Sequence, residues 1–230
     1  MASAPEPANF QRARRPEQRE VRRQAILDAA QELLAQQPAS EISLREIARQ
    51  LGGSKSGIVR YYETREALFL ELLHRARHEW LDELERRLPA PRPVPSDVDA
   101  LVTRIADTWA GSLAEHRVLC ELWSMLAAVL ERNVSPAVIR DFKLGNREHL
   151  LRLAHLIAER LPGLDDAAAL ELVNTSVVVT AGLWPFANPG PAVVEATDDP
   201  RLTSARVDFA DTFSRSLRVL ITGLLQLGPA

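Results

Sequence analysis

The sequence predicts an all-α fold. Helix formers (Ala, Leu, Glu, Arg, Gln) fill most segments, only 10 of the 230 residues are glycine, and no stretch alternates apolar and polar residues for long. The length gives one large domain or two small ones with room for a proper core. With 46% hydrophobic and 26% charged residues, the class is soluble and globular.

Residues 1–15 are rich in Pro and Arg and hold no apolar run, so they read as a disordered basic arm and not as a signal peptide. The first helix is expected from Pro16, a residue suited to a first helical position. Ile26, Ala29, Ala30, Leu33 and Leu34 form its buried stripe, and Pro38 ends it. Ser43 and Glu46 make a capping box for a second helix, whose apolar stripe is Leu44, Ile47, Ala48 and Leu51. Gly52 and Gly53 stop it. Ser54 caps a short third helix, Lys55 to about Tyr62, and Thr64 caps a fourth, Arg65 to about Leu88. "PAPRPVP" at 89–95 is a stiff linker. Five more helices are expected at about 97–115, 118–132, 136–161, 165–184 and 202–227, with Ser96 and Asp99 capping the first of them and Ser135-Pro136 opening the third. A Pro-rich loop precedes the last.

Net charge is −3 but unevenly spread. Residues 1–75 carry 12 Lys/Arg against 10 Asp/Glu, and the remainder 16 against 21. "RARRPEQREVRR" alone holds six arginines. Such an arm suits either a polyanion partner or a solvated tail. Cys120 is the single cysteine, which excludes an internal disulfide and fits a cytoplasmic location. No charged residue occurs from Leu172 to Val194, yet Asn174, Gly182, Pro185, Asn188, Pro189 and Pro191 lie inside that stretch. A buried helix followed by a loop is expected there, and no membrane partner.

Helices two and three around the glycine pair form a helix-turn-helix pattern. The second helix of such a pair enters a groove about 12 Å wide, so it should be short, exposed on one side and rich in groups that reach bases and phosphates. Lys55, Ser56, Arg60 and Tyr61 are such groups. Ile58 and Tyr62, one turn apart, can anchor the helix inward. Gly57 leaves bare backbone for close approach. An ordinary αα-corner in a helical core is the alternative reading.

Residues 26–73, "ILDAAQELLAQQPASEISLREIARQLGGSKSGIVRYYETREALFLELL", resemble the DNA-binding domain of the tetracycline-repressor (TetR) family. The match keeps its order: "ILDAA-x-ELLA", "SLREIA", "SK", "YY", then "REAL". The resemblance implies a helix-turn-helix domain over 16–65 and a ligand-binding and dimerisation domain over 66–230. It implies a homodimer on a palindromic operator in double-stranded DNA, most simply a repressor. Carried over by position, it assigns DNA contacts to Ser43, Arg45, Lys55, Ser56, Gly57, Val59, Arg60, Tyr61 and Arg65. The family usually reads "S-K-G-T-L-Y-x-Y-F" here. This chain instead has Ser56 for the glycine, Gly57 for the threonine, Val59 for the tyrosine and Tyr62 for the phenylalanine. The Thr and Tyr positions commonly hold phosphates, so that task is expected to pass to Ser56, Tyr61, Arg65 and the arm.

The rest resembles the family only in layout, which implies a small-molecule effector site and a four-helix dimer interface. Trp109, Trp123, Met125, Phe142 and Trp184 could wall a cavity for a hydrophobic or aromatic effector. His116, Cys120, Asn146, His149, Asn174 and Thr175 could supply its polar contacts. Val173, Val177, Phe213, Leu217, Leu220 and Leu224 are candidate interface residues, with an intramolecular core as the rival reading. His74 and His78 stand one turn apart, a metal-compatible spacing with Glu71 near. No further ligand is evident in the sequence, so they read as a solvated pair on an outer face, with no metal and no cofactor expected. There is no G-x-S-x-G, P-loop or dinucleotide fingerprint, so no enzyme is expected. A ligand-independent or protein-responsive architectural DNA binder stays open, favoured by a filled C-terminal core. A helical enzyme is the remoter alternative.

Overall fold

The structure, a computed structural model, describes residues 8–91 and 97–227, with side chains from residue 16 onward. All regular structure among the described residues is helical. The chain forms two compact units, the first ending at Leu68 and the second starting at Phe69.

The first unit holds α1 (Ala8–Gln36), a 3-10 turn (Ala39–Glu41), α2 (Leu44–Gln50), α3 (Lys55–Val59) and the first turn of α4 (Arg65–Arg87). Its core is Ile26, Ala30, Leu34, Ile42, Ile47, Ile58 and Tyr62, all buried. Helix α1 starts eight residues before Pro16, which lies inside it. Residues 8–15 are therefore helical and not the expected disordered arm, because Arg, Gln and Ala there are good helix formers. Residues 1–7 of that arm lie outside the described residues. Helix α3 is shorter than expected. Gly57, Ile58 and Val59 are poor helix formers, and the chain turns at Tyr61, whose N–H donates to Ile58 O at 2.8 Å.

The second unit continues α4 and adds α5 (Val98–Glu115), α6 (Arg117–Met125), a π-helical turn (Leu126–Leu130), α7 (Pro136–Ala158), α8 (Asp166–Ala187), α9 (Pro191–Ala196), a 3-10 turn (Pro200–Ala205) and α10 (Phe209–Leu227). Helix α10 packs along α5, and α8 packs against α6, α7 and α10. Trp109, Leu172, Val173, Phe213, Leu217 and Ile221 fill the centre.

Several boundaries differ from the expectation. The cap of α5 is Asp97, which accepts from Ala100 N at 2.9 Å, instead of Ser96 with Asp99. Ser96 and most of the 89–95 linker lie outside the described residues. Helix α8 runs through Pro185, whose missing N–H removes only one bond in a final turn. The expected Pro-rich loop contains α9, with Pro191 at its first position. Helix α10 starts at Phe209, not near 202. Ser135 does cap α7, with Pro136 following.

Helix α8 is, by length and composition, apolar enough to cross a membrane. One side of it is in the core through Ala169, Leu172, Val173, Ser176, Thr180 and Trp184. Its other side is exposed, with Val178 71% and Phe186 72% accessible, so the expected buried helix is buried on one side only.

Candidate functional site

Two capping serines set the local geometry of the first unit. Ser43 Oγ accepts from Glu46 N at 3.2 Å and starts α2. Ser54 Oγ accepts from Gly57 N at 3.3 Å and starts α3. Between them the chain reverses at Gly52, which has φ +62°, a conformation that favours glycine. Gly53 N closes the turn onto Ala48 O at 2.8 Å.

This turn leaves one face of α3 to solvent. Ile58 and Tyr62 point into the core, while Lys55, Ser56, Val59 and Arg60 are exposed and Gly57 and Tyr61 half-buried. Ser43, Arg45, Lys55, Val59 and Arg65 come together around one surface depression of about 710 Å3, with Leu44, Glu63 and Thr64 completing its rim. Among the described residues, Arg45, Lys55 and Arg60 have no hydrogen-bond or ion-pair partner in the chain. Three unpaired cations on one short exposed stretch suit a polyanion. Arg65 differs from them. Its guanidinium donates to Ile42 O at 3.0 Å and to Glu66 Oε1 at 2.9 Å, so in the free chain it braces the 39–42 turn.

In the second unit, Trp109 and Trp123 line a small cavity of about 20 Å3 together with Trp80, Arg77, Asn146 and His149. The other three expected wall residues do not line it. Phe142 lies beneath the Arg77 guanidinium, 5.0 Å from ring centre to Cζ. Trp184 packs edge-on to Phe209, and its Nε1 donates to Glu121. Met125 ends α6. Of the polar candidates, Cys120 is buried with its thiol pushed up by burial, and its Sγ meets Leu113 O. His116 pairs with Ser112 O and Glu83. Asn174 is exposed and Thr175 half-buried.

The cavity wall holds unusual buried polarity. Trp109 Nε1, Arg77 Nε and Nη2, and His149 Nε2 are buried without a hydrogen-bond partner. Burial lowers the Arg77 pKa to about 10, and among the described residues no carboxylate pairs with it. Nothing in the sequence singles out Arg77, because a lone arginine on a long helix reads as surface charge.

The interface candidates need correction. Val173, Phe213 and Leu217 are fully buried within one chain, so they have no surface left for a second copy. Val177 lines the cavity. Leu220 and Leu224 are half-buried on α10. The histidine pair also needs correction: His78 is exposed, but His74 is half-buried and both rings lie against His149 of α7.

Residues 26–72 match the family described as "Bacterial regulatory proteins, tetR family", and residues 74–227 match "Tetracyclin repressor-like, C-terminal domain". The chain belongs to the TetR family of DNA-binding transcriptional regulators. An uncharacterized HTH-type transcriptional regulator of Mycobacterium tuberculosis is 42% identical over 50 residues, 22% of this chain and 25% of that one. The match thus spans about a quarter of that relative's length. Two solved structures share the TetR-family fold at low identity. A TetR transcriptional regulator from Rhodococcus sp. RHA1 is 16% identical with a TM-score of 0.54, covering 92% of this chain and 97% of that one. The fatty acid degradation regulator FadR of Bacillus halodurans is 15% identical with a TM-score of 0.52, covering 87% and 97%.

Proposed function

We propose that this TetR-family protein is a ligand-responsive repressor that binds a palindromic operator as a homodimer, with α3 of each chain in the major groove. One observation carries the reading: the unpaired Arg45, Lys55 and Arg60 stand exposed on and beside a short helix that is anchored by Ile58 and Tyr62. Phosphates are the partners such cations lack, and base edges are within reach of the same face. Arg65 would have to leave Ile42 to join them.

The effector reading rests on the cavity. Its aromatic wall and the unpartnered donors of Arg77 and Trp109 suit a small apolar molecule with an acceptor group, most simply a carboxylate. Such a ligand would bind a more open state and shift the population toward it. Helix α4 carries Arg77 and Trp80, and its first turn belongs to the helix-turn-helix unit, so one continuous helix links the two activities.

A second reading has a specific observation in its favour. A cavity of about 20 Å3 holds one water, not an effector. A nearly filled core suits a ligand-independent DNA binder.

One experiment addresses both parts. The operator is selected from a random DNA pool, and binding is measured by gel shift. Lys55→Ala and Arg60→Ala should each weaken binding by about 1–3 kcal/mol if they reach bases, less if they reach phosphates alone. Unchanged affinity in both variants sinks the recognition-helix assignment. Aryl and alkyl carboxylates are then tested for release of that operator. Release by an acid but not by its amide supports Arg77 as the contact. No release by any member favours the ligand-independent reading.

A further inference from the structure

We propose that His74, His78 and His149 form a binding site for a divalent transition-metal ion, such as Zn2+ or Ni2+, which clips α4 to α7. His74 and His78 stand one turn apart on α4, and α7 brings His149 against both. One ring nitrogen from each lies within 4.8 Å of the other two. The rings of His78 and His149 are 3.9 Å apart at their centres, and His74 is 4.9 Å from each. A tetrahedral ion with metal–nitrogen bonds of about 2.0–2.1 Å needs its nitrogens roughly 3.4 Å apart. Binding would require the rings to turn so as to close that difference.

One observation points to an occupant and a second to how the three rings come together. His149 is only 6% exposed, and its Nε2 is buried with no hydrogen-bond partner. Native cores seldom leave such an atom unpaired. The second is Gly145, one turn before His149 on α7. A Cβ there would fall 2.9 Å from His74 Cε1 and 3.0 Å from its Nδ1. Glycine inside a helix costs stability, and here it makes the opening that lets the His74 ring sit against α7.

The donor set selects the ion. Three imidazoles suit Zn2+, Ni2+, Co2+ or Cu2+, whereas Mg2+ and Ca2+ need oxygen ligands. The charge of Arg77 nearby opposes any cation, and Glu71 and Glu148 act on His74 in the opposite sense. That balance favours an ion held by strong metal–nitrogen bonds over one held by charge alone. His78 is exposed, which leaves an entry path and room for water as a further ligand.

The test is a titration of the tag-free full chain with Co2+ and Zn2+, and it needs no DNA, so it stands apart from the regulator reading. Co2+ should bind at one ion per chain with the visible absorption of a nitrogen-ligated, low-coordinate site. Zn2+ should displace it and raise Tm. His78→Ala, at an exposed position, should weaken Zn2+ binding by more than about tenfold. His155→Ala, at an exposed position of α7 outside the cluster, should leave it unchanged. His149→Ala should also lose binding, with circular dichroism reporting its fold. No saturable binding at micromolar metal, or equal affinity in His78→Ala and the parent, overturns the proposal.

Discussion

Gly52 and Gly57 sit five residues apart and answer to different demands. Gly52 has φ +62°, so any side chain there is strained although the space is open. Gly57 is helical, and a Cβ there would meet only Ser54 Oγ at 3.7 Å. Gly52→Ala should therefore cost about 1–2 kcal/mol. Gly57→Ala should leave stability unchanged or raise it by up to about 1 kcal/mol, yet weaken operator binding if bare backbone is what approaches the DNA. Thermal denaturation and gel shift on the same preparations separate the two effects. A loss of stability at Gly57 equal to that at Gly52 would make Gly57 structural. Single residues were legible in the sequence where their role is local. Ser43, Ser54, Ile58 and Tyr62 announce caps and an anchor by spacing alone. His149 and Arg77 do not, because their partners come from distant segments, and the same is true of Val173, Phe213 and Leu217, whose apolar faces could equally serve core or interface.

At the scale of elements, α3 is the least self-sufficient helix of the first unit. It has five residues, three of them poor helix formers, and helices that short do not hold themselves in water. Its start depends on Ser54, whose Oγ accepts from Gly57 N and lies 2.9 Å from Ser56 Oγ. Ser54→Ala should cost about 1 kcal/mol and should lower operator affinity as well, since the exposed face frays with the helix. Ser135→Ala at the 23-residue α7 is the comparison. It removes the same kind of cap and should lower Tm while leaving operator affinity alone. Equal losses of affinity in both variants would mean that α3 folds without its cap. Elements with a strong stripe or a cap, such as α2, α4 and α7, were readable from the sequence. Helix α9, the end of α8 and the start of α10 were not. Proline reads as a stop there, but Pro185 falls in a final turn, where it forfeits a single bond, and Pro191 opens a new helix at a position whose N–H has no intrahelical partner.

In the whole molecule, the unexplained feature is apolar exposure on two helices that pack together. Val178 and Phe186 lie two turns apart on α8 with the exposed Gly182 between them, and Val219 of the neighbouring α10 is 69% exposed. This exposure also explains why α8 is apolar enough to resemble a membrane-crossing helix while only a third of it is buried in one chain. A second copy related by a two-fold axis would cover the same patch on both chains at once, with Gly182 allowing close approach. Each Val buried in this way contributes on the order of 1.5–3 kcal/mol and is counted twice across the axis. Val178→Glu combined with Val219→Glu should then give a folded monomer by light scattering and unchanged helical content by circular dichroism. The monomer should also bind a full operator far more weakly, because two linked recognition helices gain from effective concentration and a single one does not. A variant that stays dimeric would place the interface elsewhere. A monomeric variant with undiminished operator affinity would break the link between this face and paired half-sites.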